Sequence, residues 1–163
     1  MKKVLVVMGS DSDLKVMEKC VDRLKSFDIP TEVRICSAHR TPAVAEQLAK
    51  NAAAEGFGGI IAAAGKAAHL GGVLAAYTTL PVIGVPMATS VMGRMDSLLS
   101  IVQMPKVIPV ATVSIDGADN AAILAAQMIA LPADALAAKL AQFKADMAAE
   151  VTAKDEKVRA QFA

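Results

Sequence analysis

The chain has no tryptophan, one tyrosine and four phenylalanines among its 163 residues, so aromatics make up only 3% of it. Ring-stacking partners for a flavin are therefore scarce, which counts against a flavin-carrying module. Histidine is almost as rare, with two copies, His39 and His69. That is too few for a zinc trio, and no HExxH or paired-cysteine spacing occurs. The two cysteines, Cys20 and Cys36, have neither metal-knuckle nor redox-pair spacing and read as reduced, buried small hydrophobes. An excess of one charge is also missing, because 17 Lys and Arg face 16 Asp and Glu for a formal net charge of +1. Without a general positive field, neither nucleic acid nor an anionic membrane surface is expected as a partner, and any anion must be caught locally. The richest apolar stretch, residues 58–77, is broken by Lys66, His69 and several glycines, which argues against a membrane span. With no secretory leader pattern at its start, the chain reads as cytoplasmic.

What is abundant is small aliphatic residues. Hydrophobic residues make up 55% of the chain, and the mean hydropathy is +0.46. The length suits one domain, here residues 1–163, divided into a core over 1–131 and a helical extension over 132–163. A domain this small has much surface to cover. Apolar content beyond one small core therefore predicts burial between subunits, and a homo-oligomer.

Hydrophobic periodicity alternates along the chain. "KKVLVVMGS" (2–10) is a continuous aliphatic run ending at a glycine, as in a strand covered on both faces. In "SDLKVMEKCVDRLKSF" (12–27), Leu14, Met17, Cys20, Val21 and Leu24 recur at helical steps. The alternation continues with strands at "TEVRICS", "GGIIAAAG", "LPVIGVPM" and "VIPVATVSI". Helical stretches lie between them and after the last, with Thr41 and Pro42 predicted to open the second helix as capping hydroxyl and first-turn proline. Five strands alternating with helices predict a doubly wound parallel sheet in three layers. In the tail, Leu136, Leu140, Phe143, Met147 and Val151 mark a stripe on a long C-terminal helix, either packed on its own domain or reaching a partner.

Ligands of open parallel sheets lie at the carboxyl ends of the strands. That rule selects the loops "MGSDSD" (8–13), "CSAHR" (36–40) and "AAGKAAHLGG" (63–72), which hold both histidines. Ser10 and Ser12 offer hydroxyls beside free amides at a helix start, which can hold a phosphate or simply cap the helix. Asp13 would repel phosphate and suits ribose hydroxyls better. Arg40 offers a planar fork to phosphate, or a surface ion pair. His39 stands without a triad or metal partners, so a lone proton shuttle is its natural chemistry, against a loop histidine bonded to backbone. Small residues around Gly65 let backbone approach a flat heterocycle, and His69 reads as an orienting group.

Taken together, "MGSDSD", "SAHRTP", "AAHL", "LPVIGVP" and "DSLLSIVQMP" resemble class I N5-carboxyaminoimidazole ribonucleotide mutase, the PurE family of purine biosynthesis, over about residues 3–130. The resemblance implies a flavodoxin-like fold, an octamer with active sites where subunits meet, and a C-terminal helix used in assembly. It implies no metal and no organic cofactor. The implied reaction moves a carboxylate from the exocyclic nitrogen to ring carbon C4 through release and recapture of carbon dioxide, with His39 as general acid and base. Ser10, Ser12 and Arg40 would hold phosphate and Asp13 the ribose. Ser37, Ala38, Gly65, Ala67, Ala68, His69 and Leu70 would frame the base and the carboxylate. Lys66, Gly71 and Arg94 depart from the family pattern, which has glycine, proline and glycine there, and a cation at Lys66 could contact the carboxylate, face a neighbouring subunit or obstruct the pocket. The alternatives are a carboxylase using free carbon dioxide, a non-catalytic nucleotide-binding module, and a structural oligomer.

Overall fold

The computed structural model describes residues 1–90 and 92–162. An interior strand of its sheet is β1 (Lys3–Met8), whose β-branched and aliphatic residues are buried from Val4 onward. Successive side chains of a strand point to opposite faces, and β1 divides accordingly. Val4, Val6 and Met8 enter one core cluster, and Leu5 and Val7 the other.

On the first face lie α1 (Leu14–Ser26) and α5 (Ala118–Ala130). The predicted stripe of α1 is seen in Met17, Cys20 and Leu24, all buried. On the second face lie α2 (Pro42–Ala52), α3 (Leu70–Tyr77) and α4 (Met95–Val102). Alanines at one-turn spacing, such as Ala45, Ala49 and Ala52, bring these helices close to the sheet. The remaining strands are β2 (Thr31–Ile35), β3 (Phe57–Ala64), β4 (Val82–Pro86) and β5 (Ala111–Thr112). All pair in parallel in the order β2-β1-β3-β4-β5. Chain direction across the sheet therefore reverses between β1 and β3, which opens a crevice at their carboxyl ends. Both cysteines are free and buried, and burial pushes the Cys20 thiol up to about 12, leaving it an unreactive core residue.

Two expectations are adjusted. The fifth strand pairs over only two residues rather than the length of "VIPVATVSI". Pro109 cannot donate to a ladder, Val107 has φ 69°, and the strand lies at the sheet edge. The long helix α6 (Asp134–Gln161) spans 28 residues, about 42 Å. It uses only the first part of its stripe. Leu136 and Leu140 are buried, and Phe143 meets Phe27 edge-on at 5.4 Å, whereas Met147 and Val151 are exposed. No helix among the described residues is long and apolar enough to cross a membrane.

Close packing behind the crevice depends on Gly84 in β4, where a Cβ would lie 2.4 Å from Ile101 Cγ2 and 3.0 Å from Val110 Cγ1. Gly84→Ala is accordingly expected to destabilise the fold by about 1–3 kcal/mol through overpacking, read as a lower midpoint in chemical denaturation.

Candidate active site

Four loops leave the carboxyl ends of β1 to β4 and line an open-mouthed cavity of about 700 Å³. The first loop turns directly off the sheet, with Gly9 N–H donating to Ala63 O at 3.0 Å. Ser10 then caps a short 3-10 turn (Asp11–Asp13) that leads into α1. Its Oγ accepts from Ser12 N–H at 3.3 Å and from the Ser12 hydroxyl at 3.0 Å. The hydroxyls are thus gathered at a helix entrance, where an anion is favoured. Asp13 lines the same wall and is 9% exposed. Burial holds its carboxyl above the ordinary range, and Asp116 and Asp11 push the same way against hydrogen bonds from Ser12 and the Ser10 backbone.

The second loop is closed by Thr41. Its hydroxyl accepts from Ser37 N–H and donates to Ser37 O, each at 3.0 Å. The predicted cap on α2 is therefore not made, because the hydroxyl is already spent on the loop, while Pro42 does take the first helical turn. Ser37 Oγ in turn accepts from Arg40 N–H at 3.2 Å. Held in this way, Arg40 leans its guanidinium across the end of β1, with Nη2 donating to Gly9 O at 3.4 Å. His39 points the other way, toward the third loop. Its Nε2 lies 2.9 Å from His69 Nδ1, the two rings being inclined at 78°. One proton is shared along that line, so each imidazole fixes the orientation and tautomer of the other.

The third loop runs from Gly65 to Leu70, the first residue of α3. Gly65 packs against Met87 and Thr89, with an added Cβ at 3.5 and 3.4 Å from them. Lys66 has φ 57°, and its carbonyl accepts from Ser100 Oγ at 3.3 Å. Of the residues expected at the site, Ser10, Ser12, Asp13 and Arg40 line one side of the cavity. Ser37, Ala38 and His39 follow, and Gly65, Lys66, Ala67, His69 and Leu70 complete the other side. Ala68 does not line it. Its side chain is 1% exposed and packs in the second core cluster, since the turn into α3 rotates it inward.

A fourth wall had no counterpart among the expected residues. Met87, Ala88, Thr89 and Ser90 follow β4 and face the cavity. This loop is anchored by Ala88 N–H donating to Asp116 Oδ1 at 2.8 Å, Thr89 Oγ1 to Asp96 at 2.6 Å and the buried Ser97 hydroxyl to Met87 O at 2.8 Å. The strand-end rule that selected the other three loops applies equally to "VPMATS" after the fourth strand. The site therefore brings the hydroxyls of Ser10 and Ser12 and the Arg40 guanidinium together in one cavity with the paired imidazoles of His39 and His69.

A family model described as AIR carboxylase matches residues 3–150. An N5-carboxyaminoimidazole ribonucleotide mutase from Methanocaldococcus jannaschii is 51% identical over 98% of this chain and 99% of its own length. The mutase of the same name from Mycobacterium tuberculosis H37Rv is 51% identical over 96% of this chain and 90% of the relative. Among solved structures, the crystal structure of Treponema denticola PurE superimposes with a TM-score of 0.87 at 28% identity, covering 94% of this chain and 96% of that one.

Proposed function

The chain belongs to the AIR carboxylase family, and from that premise we propose that it is an isomerase of purine biosynthesis, an N5-carboxyaminoimidazole ribonucleotide mutase. The observation that carries this is the imidazole of His39, held 2.9 Å from His69 in a cavity whose opposite wall carries Ser10, Ser12 and Arg40. A ribonucleotide seated by its phosphate on that wall, with its ribose at Asp13, extends its heterocycle toward His39.

The chemistry needs one proton carrier. Protonated His39 gives its proton to the exocyclic nitrogen that bears the carboxylate. The nitrogen–carboxyl bond breaks, its electron pair returns to nitrogen, and carbon dioxide and aminoimidazole ribonucleotide are left in the pocket. Ring carbon C4 then attacks carbon dioxide, forming the new carbon–carbon bond. Neutral His39 removes the C4 proton, which restores the aromatic ring and returns the histidine to its starting state. No proton is gained or lost overall, and no ATP is consumed. Closure of the pocket matters because escape of carbon dioxide aborts the transfer. His69 orients the His39 ring, while Ser37, Ala38 and the backbone from Gly65 to Leu70 frame the heterocycle.

We place the whole chain in one domain, with α6 as an extension used in assembly, and take the protein to be a cytoplasmic homo-oligomer, an octamer. Support comes from exposed apolar residues on edge strand β2, Val33 and Ile35, and along α6 at Met147 and Val151. Light scattering on purified protein tests the subunit count.

The activity is tested by supplying either carboxylated isomer without ATP and following its conversion to the other. Turnover only from aminoimidazole ribonucleotide and free carbon dioxide would make the protein a carboxylase instead.

Asp13 gives a second check with a definite sign. Its folded-state pKa is raised, so the stability it contributes is present at pH below its unfolded value and is lost as pH rises through the folded value. Asp13→Asn is expected to raise the thermal midpoint at pH 7 and to flatten the gain in stability on mild acidification. The same change is expected to weaken ribonucleotide binding roughly fivefold, since an amide oxygen accepts a weaker hydrogen bond than a carboxylate.

A further inference from the structure

Among the described residues, six other than glycine have positive φ, and Lys66 is the one of these that lines the cavity. Glycine adopts this backbone conformation freely and a residue with a Cβ does not. A lysine kept there needs a reason, and strain retained at a site marks function. The loop around it is well supported, by Ser100 on the Lys66 carbonyl and by Met87 and Thr89 against Gly65.

Charge supplies the reason. The cavity is lined by two basic side chains, Arg40 and Lys66, and one carboxyl group, that of Asp13. Neither cation forms an ion pair with a described residue. Arg40 rests against Gly9 O, beside Ser10 and Ser12, and so serves the first wall. Lys66 lies on the other wall, three residues before His69, whose ring meets His39. Two basic side chains without an ion-pair partner among the described residues, carried on two different strand-end loops of one cavity, suit a ligand anionic at both ends.

We propose that Lys66 is a specificity-determining residue that recognises the substrate's carboxylate at the proton-transfer end of the cavity. The proposal rests on the isomerase reading above and extends it to the selection of ligands. Both isomers carry the carboxylate, whereas the aminoimidazole ribonucleotide left after release of carbon dioxide does not. Lys66 therefore favours the two end states over the free intermediate. Binding shared by substrate and product lowers KM without raising kcat.

The experiment measures affinity for the C4-carboxylated isomer and for aminoimidazole ribonucleotide in the wild type and in Lys66→Met, Lys66→Arg and Lys66→Gly. Methionine keeps the length and the backbone demand but loses the charge. Lys66→Met is expected to weaken the carboxylated ligand on the order of tenfold, as for a lost charge-assisted contact, with aminoimidazole ribonucleotide affected less than about twofold. The kinetic loss is expected in KM, with no fall in kcat. Arginine should retain the preference, and glycine should lose it while folding at least as stably as the wild type. Equal weakening of both ligands, no weakening of either, or a fall in kcat matching that in kcat/KM would overturn the role of Lys66. Failure of the wild type to interconvert the isomers would instead overturn the isomerase reading, and the two failures are separable because ligand preference is measured without turnover.

Discussion

Replacing His39 with asparagine is expected to lower kcat by about 10²–10⁴-fold, the usual contribution of one positioned acid–base group, while ligand affinity changes by no more than a few-fold. Asparagine approximates the size of the ring and can still bond to His69, but it neither gives nor recovers a proton at cellular pH. Both halves of the reaction need that proton, first on nitrogen to release carbon dioxide and then off C4 to complete the product. His39 is exposed and lies outside both core clusters, so its replacement leaves the fold intact. Parallel measurement of turnover and of ligand binding by calorimetry checks the split. Retained turnover would remove His39 from the mechanism, and lost binding would make it a contact rather than a proton carrier.

Arg40→Ala is expected to have the opposite signature. A charge-assisted contact to phosphate contributes about 1.5–3 kcal/mol, so its loss should raise KM on the order of 10- to 100-fold and weaken ribonucleotide binding to match. Lysine at this position should recover only part, because an ammonium cannot present the planar fork. The side chain forms no ion pair with a described residue, and its guanidinium donates a long hydrogen bond to Gly9 O at 3.4 Å. Little stability is therefore at stake. Steady-state kinetics across Arg40→Ala and Arg40→Lys, with inorganic phosphate as competitor, distinguish a phosphate clamp from a general loss of fold.

The order and faces of the central elements were legible because each of their signals is local and repeated. The run in β1 announces a doubly covered strand, and the α1 stripe buries Met17, Cys20 and Leu24 as its spacing requires. Both histidines fall after strands β2 and β3, so the strand-end rule places them on one side of the sheet, although no local pattern specifies that their rings touch. That contact depends on the order β2-β1-β3, which sets the two loops two strands apart across the crevice. Other features depend on competition between neighbours. The Thr41 hydroxyl can cap a helix or close a loop, and the Ser37 backbone takes it. Ala68 sits between two cavity-lining residues, yet the turn into α3 sends it to the core. Contraction of the fifth strand to Ala111–Thr112 follows from prolines and an edge position that hydropathy does not register. The second half of α6 reads as a continuation of the stripe in sequence, yet Met147 and Val151 are exposed, because the helix runs on beyond the packing that buries Leu136 and Leu140.

The most direct test of the central claim follows the carbon itself. N5-carboxyaminoimidazole ribonucleotide labelled at its carboxylate carbon is incubated with the enzyme in buffer containing unlabelled bicarbonate and no ATP. A carboxylate released and recaptured within one closed pocket predicts C4-carboxylated product that keeps the label. Product carrying unlabelled carbon from the buffer, or no product until aminoimidazole ribonucleotide and free carbon dioxide are supplied, would contradict it.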